Sequence, residues 1–241
     1  MRAETRHQLK QDRFSRVTID AAERTAHWSV EHKNKLVVAA VVVLVVAAAA
    51  AASWYYLSQQ DQKASLDMSQ AVRTLDTPVR PRDMPAQPDA PSFASSSERA
   101  TAAHKQFQAI VDKYPHTHSA EFAHYFLGVT AADLGDNASA EREFQKVISS
   151  ASADVAALAK MALASVYRNT GRNKQAIELY KQLASKPTTT VGKVLAQMEL
   201  ATTYQADNQP LEAKRIYETI KKENPTSEAG QLASSKLQQL K

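Results

Sequence analysis

The chain has no cysteine. That excludes structural disulfides, thiol nucleophiles and thiolate metal sites. It assigns no compartment, because a helical domain of this size can fold without such staples. Glycine is also scarce: Gly128, Gly135, Gly171, Gly192 and Gly230 are the five in 241 residues, and they stand too far apart to build a phosphate-cradling loop. There is no Gly-x-Ser-x-Gly elbow and no His-Glu-x-x-His helix. His104, His116, His118 and His124 form the one grouping with metal-ligand character, and without cysteine they read as exposed residues around a turn. No catalytic residue, metal or cofactor is therefore expected, and the protein reads as a non-enzyme.

Positive charge is present but not concentrated. Of a net +5, residues 1–35 carry eight basic and five acidic residues, leaving only +2 of mixed sign over the rest. No basic stripe exists of the kind that phosphate backbones require, so nucleic-acid binding is not expected.

Charge is missing altogether from residues 36–57, LVVAAVVVLVVAAAAAASWYYL, which also lack glycine and proline. As a helix these positions span roughly 33 Å, enough for a hydrocarbon core of about 30 Å. Trp54, Tyr55 and Tyr56 close one end, where amphipathic rings favour the headgroup level. A cleaved signal peptide fits less well, because 35 residues precede the apolar run and an aromatic belt follows it. A buried core helix fits less well still, since no other segment is available to cover all its faces. The mean hydropathy of −0.42 shows that the remainder is ordinary water-soluble sequence. Eight bases precede the run, and only Lys63 and Arg73 occur in the twenty residues after it. The positive-inside bias then predicts a cytoplasmic N-terminus and a C-terminal domain across the membrane.

The expected organisation is a cytoplasmic arm at 1–35, a transmembrane helix at 36–57, a juxtamembrane helix at 58–76, a proline-rich linker at 77–97 and a repeat domain at 98–241. The arm contains a candidate amphipathic stretch at 19–32. Ala64, Met68, Val72 and Leu75 form a stripe on the juxtamembrane helix. Five of the nine prolines, Pro78, Pro81, Pro85, Pro88 and Pro91, fall in the linker, which reads as an extended spacer.

From residue 98 the helical pattern repeats. Segments starting at Glu121, Ala157 and Val194 align Leu127-Gly128 with Leu163-Ala164 and Leu200-Ala201. They also align Ala131 with Tyr167 and Tyr204, Ala140 with Ala176 and Ala213, and Phe144 with Tyr180 and Tyr217. Small residues at the eighth and twentieth places allow two helices to cross closely, and the aromatic at the twenty-fourth fills the gap towards the next unit. Gly135, Gly171 and the Asn208-Gln209-Pro210 run fall where a left-handed helix stop is expected. The units are read as 119–153, 154–189 and 190–225, after a half repeat at 98–118 whose first helix would fall in the linker, and before a cap helix at 226–241.

This pattern resembles the tetratricopeptide repeat. The fold it implies is all-α: a right-handed α-solenoid of helix hairpins with a C-terminal capping helix, preceded by one transmembrane helix. Tyr114-Pro115, Ala120, Ala123, Tyr125, Leu127-Gly128 and Gly135-Asp136 are also similar to units of bacterial envelope proteins such as the assembly lipoprotein BamD and the division-associated coordinator CpoB. The layout as a whole looks most like the YfgM-type inner-membrane proteins. That resemblance implies a periplasmic repeat domain and a role as an ancillary partner of the SecYEG translocon, periplasmic chaperones or client polypeptides.

In tetratricopeptide domains the first helix of each hairpin lines a concave groove with places two, five, nine, twelve and thirteen. Carried over, these are Phe122, Tyr125, Val129 and Asp133; then Leu158, Met161, Ser165, Arg168 and Asn169; then Leu195, Met198, Thr202 and Gln205. A Tyr–Met–Met row is soft and adaptable, suited to apolar ligands. The alternative is that this row is core, covered by the cap helix or the linker. Protein binding is the expected function, with a scaffold for envelope assembly or cell division as the alternative.

Overall fold

The computed structural model describes residues 32–81, 83–85 and 91–240. The amphipathic stretch expected in the arm lies, up to residue 31, outside them. Among the described residues nine helices follow one another: α1 (Lys33–Asp76), α2 (Ser96–Lys113), α3 (His118–Asp133), α4 (Asn137–Ser150), α5 (Ala153–Asn169), α6 (Asn173–Ser185), α7 (Lys193–Ala206), α8 (Pro210–Glu223) and α9 (Glu228–Gln239). The chain divides into two compact units, residues 1–56 and residues 57–241.

In the first unit the apolar part of α1 keeps its side chains exposed, from Val37 to Trp54, and it is long and apolar enough to cross a membrane. Nothing interrupts the helix at the boundary expected near residue 57; one α-helix of 44 residues covers both predicted segments.

In the second unit the end of α1 has a role that the sequence concealed. Ala64 and Ala71 are fully buried in one cluster with Phe107, Ile110, Tyr114, Ala123 and Leu127. Met68, Val72 and Leu75 pack against the same cluster. Thr74 donates to Gln106 Oε1 at 2.8 Å, and Asp67 faces Lys113 at 3.7 Å. The half repeat is therefore a whole hairpin, α1 with α2, and its first helix is not in the linker. The later hairpins turn in three residues, whereas 19 separate α1 from α2, which hid the pairing from any search for a fixed period.

The proline-rich segment is not an extended spacer at its ends. Pro78 and Arg80 exchange backbone hydrogen bonds with Phe93 at 3.0 and 2.9 Å, and Arg99 donates to the Thr77 carbonyl at 3.3 Å. Its beginning and end lie side by side, closing the segment into a loop. Helix α2 starts two residues earlier than the linker boundary implied, because Ser95 caps it by accepting from the Glu98 amide at 3.0 Å.

The three hairpins α3–α4, α5–α6 and α7–α8 follow from their sequence. Each first helix ends with a residue in the left-handed region: Gly135 at φ 82°, Gly171 at φ 74° and Asn208 at φ 56°. At each, two amides return to the preceding turn; Gly135 donates to Ala132 and Asp136 to Ala131, at 3.0 and 2.9 Å. Helix pairs then cross at small residues. Gly128, Ala140, Ala164, Ala176, Ala201 and Ala213 are all buried, as are the aromatics set against them. At Gly128 a methyl group would stand 2.6 to 2.9 Å from the Phe144 ring. The added length relative to a 34-residue unit goes into α3 and α5, with 16 and 17 residues, and into the connection at 186–192. That connection is held by Asp154, which accepts from the Thr189 amide and hydroxyl at 3.0 and 2.8 Å.

Polar bridges join successive hairpins. Tyr167 donates to Glu141 at 2.6 Å and Arg172 does so at 2.8 Å, while the Arg172 guanidinium lies 4.3 Å from the Tyr167 ring centre. The Tyr167 hydrogen bond holds the Glu141 carboxyl below its ordinary value, with Arg172 adding to the effect and burial opposing it. Helix α9 caps the array with Ala233 buried and Leu237 and Leu240 half-buried, whereas Leu232 is exposed.

Two outcomes test this account. Gly128→Ala should destabilise the repeat unit by about 1–3 kcal/mol in urea unfolding, because the added methyl overpacks against Phe144. Gly192→Ala, with nothing near its Cβ, should stay within about 0.5 kcal/mol of the wild type. Glu141 has a lowered folded pKa, so its contribution is present above the ordinary glutamate value of 4.5 and is lost as pH falls through the folded value. The stability difference between wild type and Glu141→Gln should accordingly shrink as the urea midpoint is measured at progressively acidic pH.

Candidate binding groove

The first helices α3, α5 and α7 carry the residues expected to face a ligand, and the structure gathers some of them and separates others. Phe122 and Leu195 are exposed, at 40% and 48%, and Asp133, Asn169 and Thr202 are exposed at the opposite ends of the helices. Tyr125, Val129, Leu158, Met161, Ser165, Arg168, Met198 and Gln205 are half-buried. Tyr125, Met161 and Met198 pack against the core while remaining partly open, so the row is the wall of the groove and the edge of the core at once.

Five of these residues, Tyr125, Leu158, Met161, Ser165 and Arg168, converge on one cavity of about 240 Å³. Three further lining residues were not expected in the groove: Ala162, Tyr180 and Glu199. Ala162 and Glu199 both occupy the sixth place of their units, one helical turn from the second, so the 3.6-residue period itself points to them. Tyr180 was assigned to packing between units, and it serves both purposes.

The cavity joins three hairpins. Arg168 on α5 contacts Glu199 on α7 through Nη1 and Oε2 at 2.5 Å. Beside this pair Tyr180, on α6, is 1% exposed, and burial pushes its phenol up to about 12. Burial likewise raises Tyr125 above its ordinary value. Aromatic rings continue the wall towards α2: Tyr125 stands 5.9 Å from Phe144 and 5.2 Å from Phe126, which stacks on Phe107 at 4.9 Å.

The third unit differs in its polar half. Tyr217 donates to Gln205 Oε1 at 3.0 Å and lies 3.4 Å from the Thr202 hydroxyl. Two residues expected to meet a ligand are thereby engaged by a core tyrosine.

Two of the histidines, His104 and His124, have structural partners. The Thr130 hydroxyl donates to the Phe126 carbonyl and so accepts from His104 Nδ1, at 2.8 Å. His124 Nδ1 meets Glu143 Oε2 at 2.6 Å. Burial pushes the Glu143 carboxyl up, but hydrogen bonds from His124 and Lys146 together hold it below its ordinary value. His116 and His118 are exposed at the turn after Pro115. Among the described residues no group of three or more His, Asp or Glu side chains is placed to hold a metal.

A family model described as a tetratricopeptide repeat-like domain matches residues 26–241. The match takes in the apolar part of α1 together with every hairpin and the cap. No curated protein and no solved structure matches the chain.

The contrast between two equivalent tyrosines is measurable. Tyr217→Phe removes a made hydrogen bond and should lower stability by about 1 kcal/mol. Tyr180→Phe removes a hydroxyl that has no hydrogen-bond partner among the described residues and should leave the urea midpoint unchanged or raise it.

Proposed function

Because the chain belongs to the tetratricopeptide repeat-like family, we propose that it is a non-enzymatic, single-pass membrane protein whose repeats bind segments of other polypeptides. The observation that carries this reading is the cavity built jointly by α3, α5, α6 and α7, apolar at Tyr125, Leu158 and Met161 and open on the face that the repeats leave uncovered. Exposed Phe122 and Leu195 extend the apolar rim on either side. Singly exposed apolar side chains need no explanation, but a row of them beside a cavity marks an interaction surface.

The apolar end of α1 supplies the anchor. The excess of basic residues before it supports a cytoplasmic N-terminus, with the repeats in the periplasm of a bacterial inner membrane. That layout supports a YfgM-type role: a companion of the translocon that meets its subunits, periplasmic chaperones or emerging client chains. The family match supports the same combination, since it spans anchor and repeats together.

A cysteine-free chain makes the topology simple to test. Single Lys10→Cys and Thr189→Cys variants, treated in intact cells with a membrane-impermeant maleimide, should label only at 189; labelling at 10 alone overturns the orientation. A photo-crosslinker at position 125 or 161 should capture translocon subunits or client chains. Capture of nothing but lipid would sink the binding role.

A further inference from the structure

Helix α9 is built like the first helix of a hairpin but lacks the small residue that admits a second. Ala233 takes the place of Ala123, Ala159 and Ala196, all 0% exposed, and Leu237 that of Leu127, Leu163 and Leu200. The next place holds buried Gly128, Ala164 and Ala201 where helices cross closely; in α9 it is Gln238, exposed and too large for such a crossing. The array's own packing therefore does not continue over the face that α8 and α9 share.

That face forms a groove of about 520 Å³, with Pro225 and Leu237 as its apolar part and Lys214, Glu218, Lys221 and Lys222 along one wall. In the two preceding hairpins the place of Lys214 is held by Glu141 and Ile177, and that of Lys221 by Ile148 and Ala184. Glu141 is bound by the next hairpin, and the other three are buried or half-buried against the core. Lys222 follows Ser149 and Ser185 in the same way. Helix α8 thus gains lysine at three places. Solubility alone calls for mixed signs, as the Arg215–Glu212 pair supplies on the same helix at 2.8 Å. The helix dipole favours Lys221 and Lys222 in the last turn but gives no reason for Lys214, two turns earlier. Among the described residues no ion pair reaches any of the three, and nearby Glu223 is taken by Lys193 at 2.9 Å.

We propose that this second groove docks an acidic polypeptide segment, its carboxylates on Lys214, Lys221 and Lys222 and an apolar side chain on Leu237. The complementarity is one of charge and of length. Lys214 and Lys221 stand about 10 Å apart along α8, so carboxylates spaced along a chain reach both, whereas a single lipid phosphate reaches one. The site shares no residue with the concave cavity and stands whether or not that cavity binds peptides.

The test uses full-length protein in phosphatidylcholine nanodiscs and fluorescent twelve-residue peptides with one leucine and none, two or four glutamates, the other places being glutamine or serine. Affinity, read by anisotropy, should rise about two- to fivefold per glutamate at low salt and fall as salt is raised. Lys214→Gln, Lys221→Gln and Lys222→Gln together should erase the dependence on glutamate while leaving the urea midpoint within error. Met161→Glu, in the concave cavity, should leave that dependence intact. Affinity indifferent to the number of glutamates, or a dependence that survives the triple variant, overturns the proposal. So does capture of phosphatidylglycerol vesicles that requires the three lysines while no peptide binds, which assigns them to a lipid surface.

Discussion

Close approach of helices at small residues is the constraint on which the repeat unit depends. Where Gly128 faces Phe144, not even a methyl group fits, and fully buried alanines occupy the corresponding crossings in the later hairpins. Once two helices approach so closely, their remaining faces must diverge, and the aromatic at the twenty-fourth place fills the wedge towards the next unit. The same geometry turns the first helices to one side and leaves their outward face without a covering layer. The groove is thus a consequence of how the core is packed, which is why Tyr125 and Met161 belong to both.

Stability and recognition meet at that boundary. Each hairpin alone buries too little to stand, so stacking is obligatory and the polar bridges between units become part of the framework. Glu141 is held from the next hairpin by Tyr167 and Arg172, and Arg168 reaches Glu199 in the one after. The first bridge is fully used in holding units together. The second also forms part of the cavity wall.

Most of the hairpin architecture was legible because its signals are local. A glycine or asparagine before a new amphipathic run, and small residues at fixed distance from aromatics, specify the turn and the crossing without knowledge of partners. The pairing of α1 with α2 was not legible, because it depends on contacts made across a long insertion. Ala64, Met68, Val72 and Leu75 announce a buried stripe, but a stripe does not say which helix covers it. In the groove, carrying over five family places per unit found Tyr125, Leu158, Met161, Ser165 and Arg168. It missed Glu199 because that residue enters the cavity through an ion pair with a neighbouring unit, and Tyr180 because a packing residue is not expected to present its hydroxyl.

The dimensions of the cavity bear on how such a protein can work. At about 240 Å³ it is smaller than the roughly 300–1,000 Å³ of pockets that hold whole small molecules, in keeping with the proposed binding of a stretch of polypeptide. On that proposal so small a site gives modest affinity, and the adaptable thioether and phenol walls give modest selectivity. A free protein in solution would gain little from such a site. On the proposed topology the anchor confines the groove to the surface where partners emerge, and confinement of this kind raises local concentration towards the millimolar range. Weak, tolerant binding then becomes effective while remaining quick to release, a combination suited to a companion of passing chains rather than to a permanent subunit.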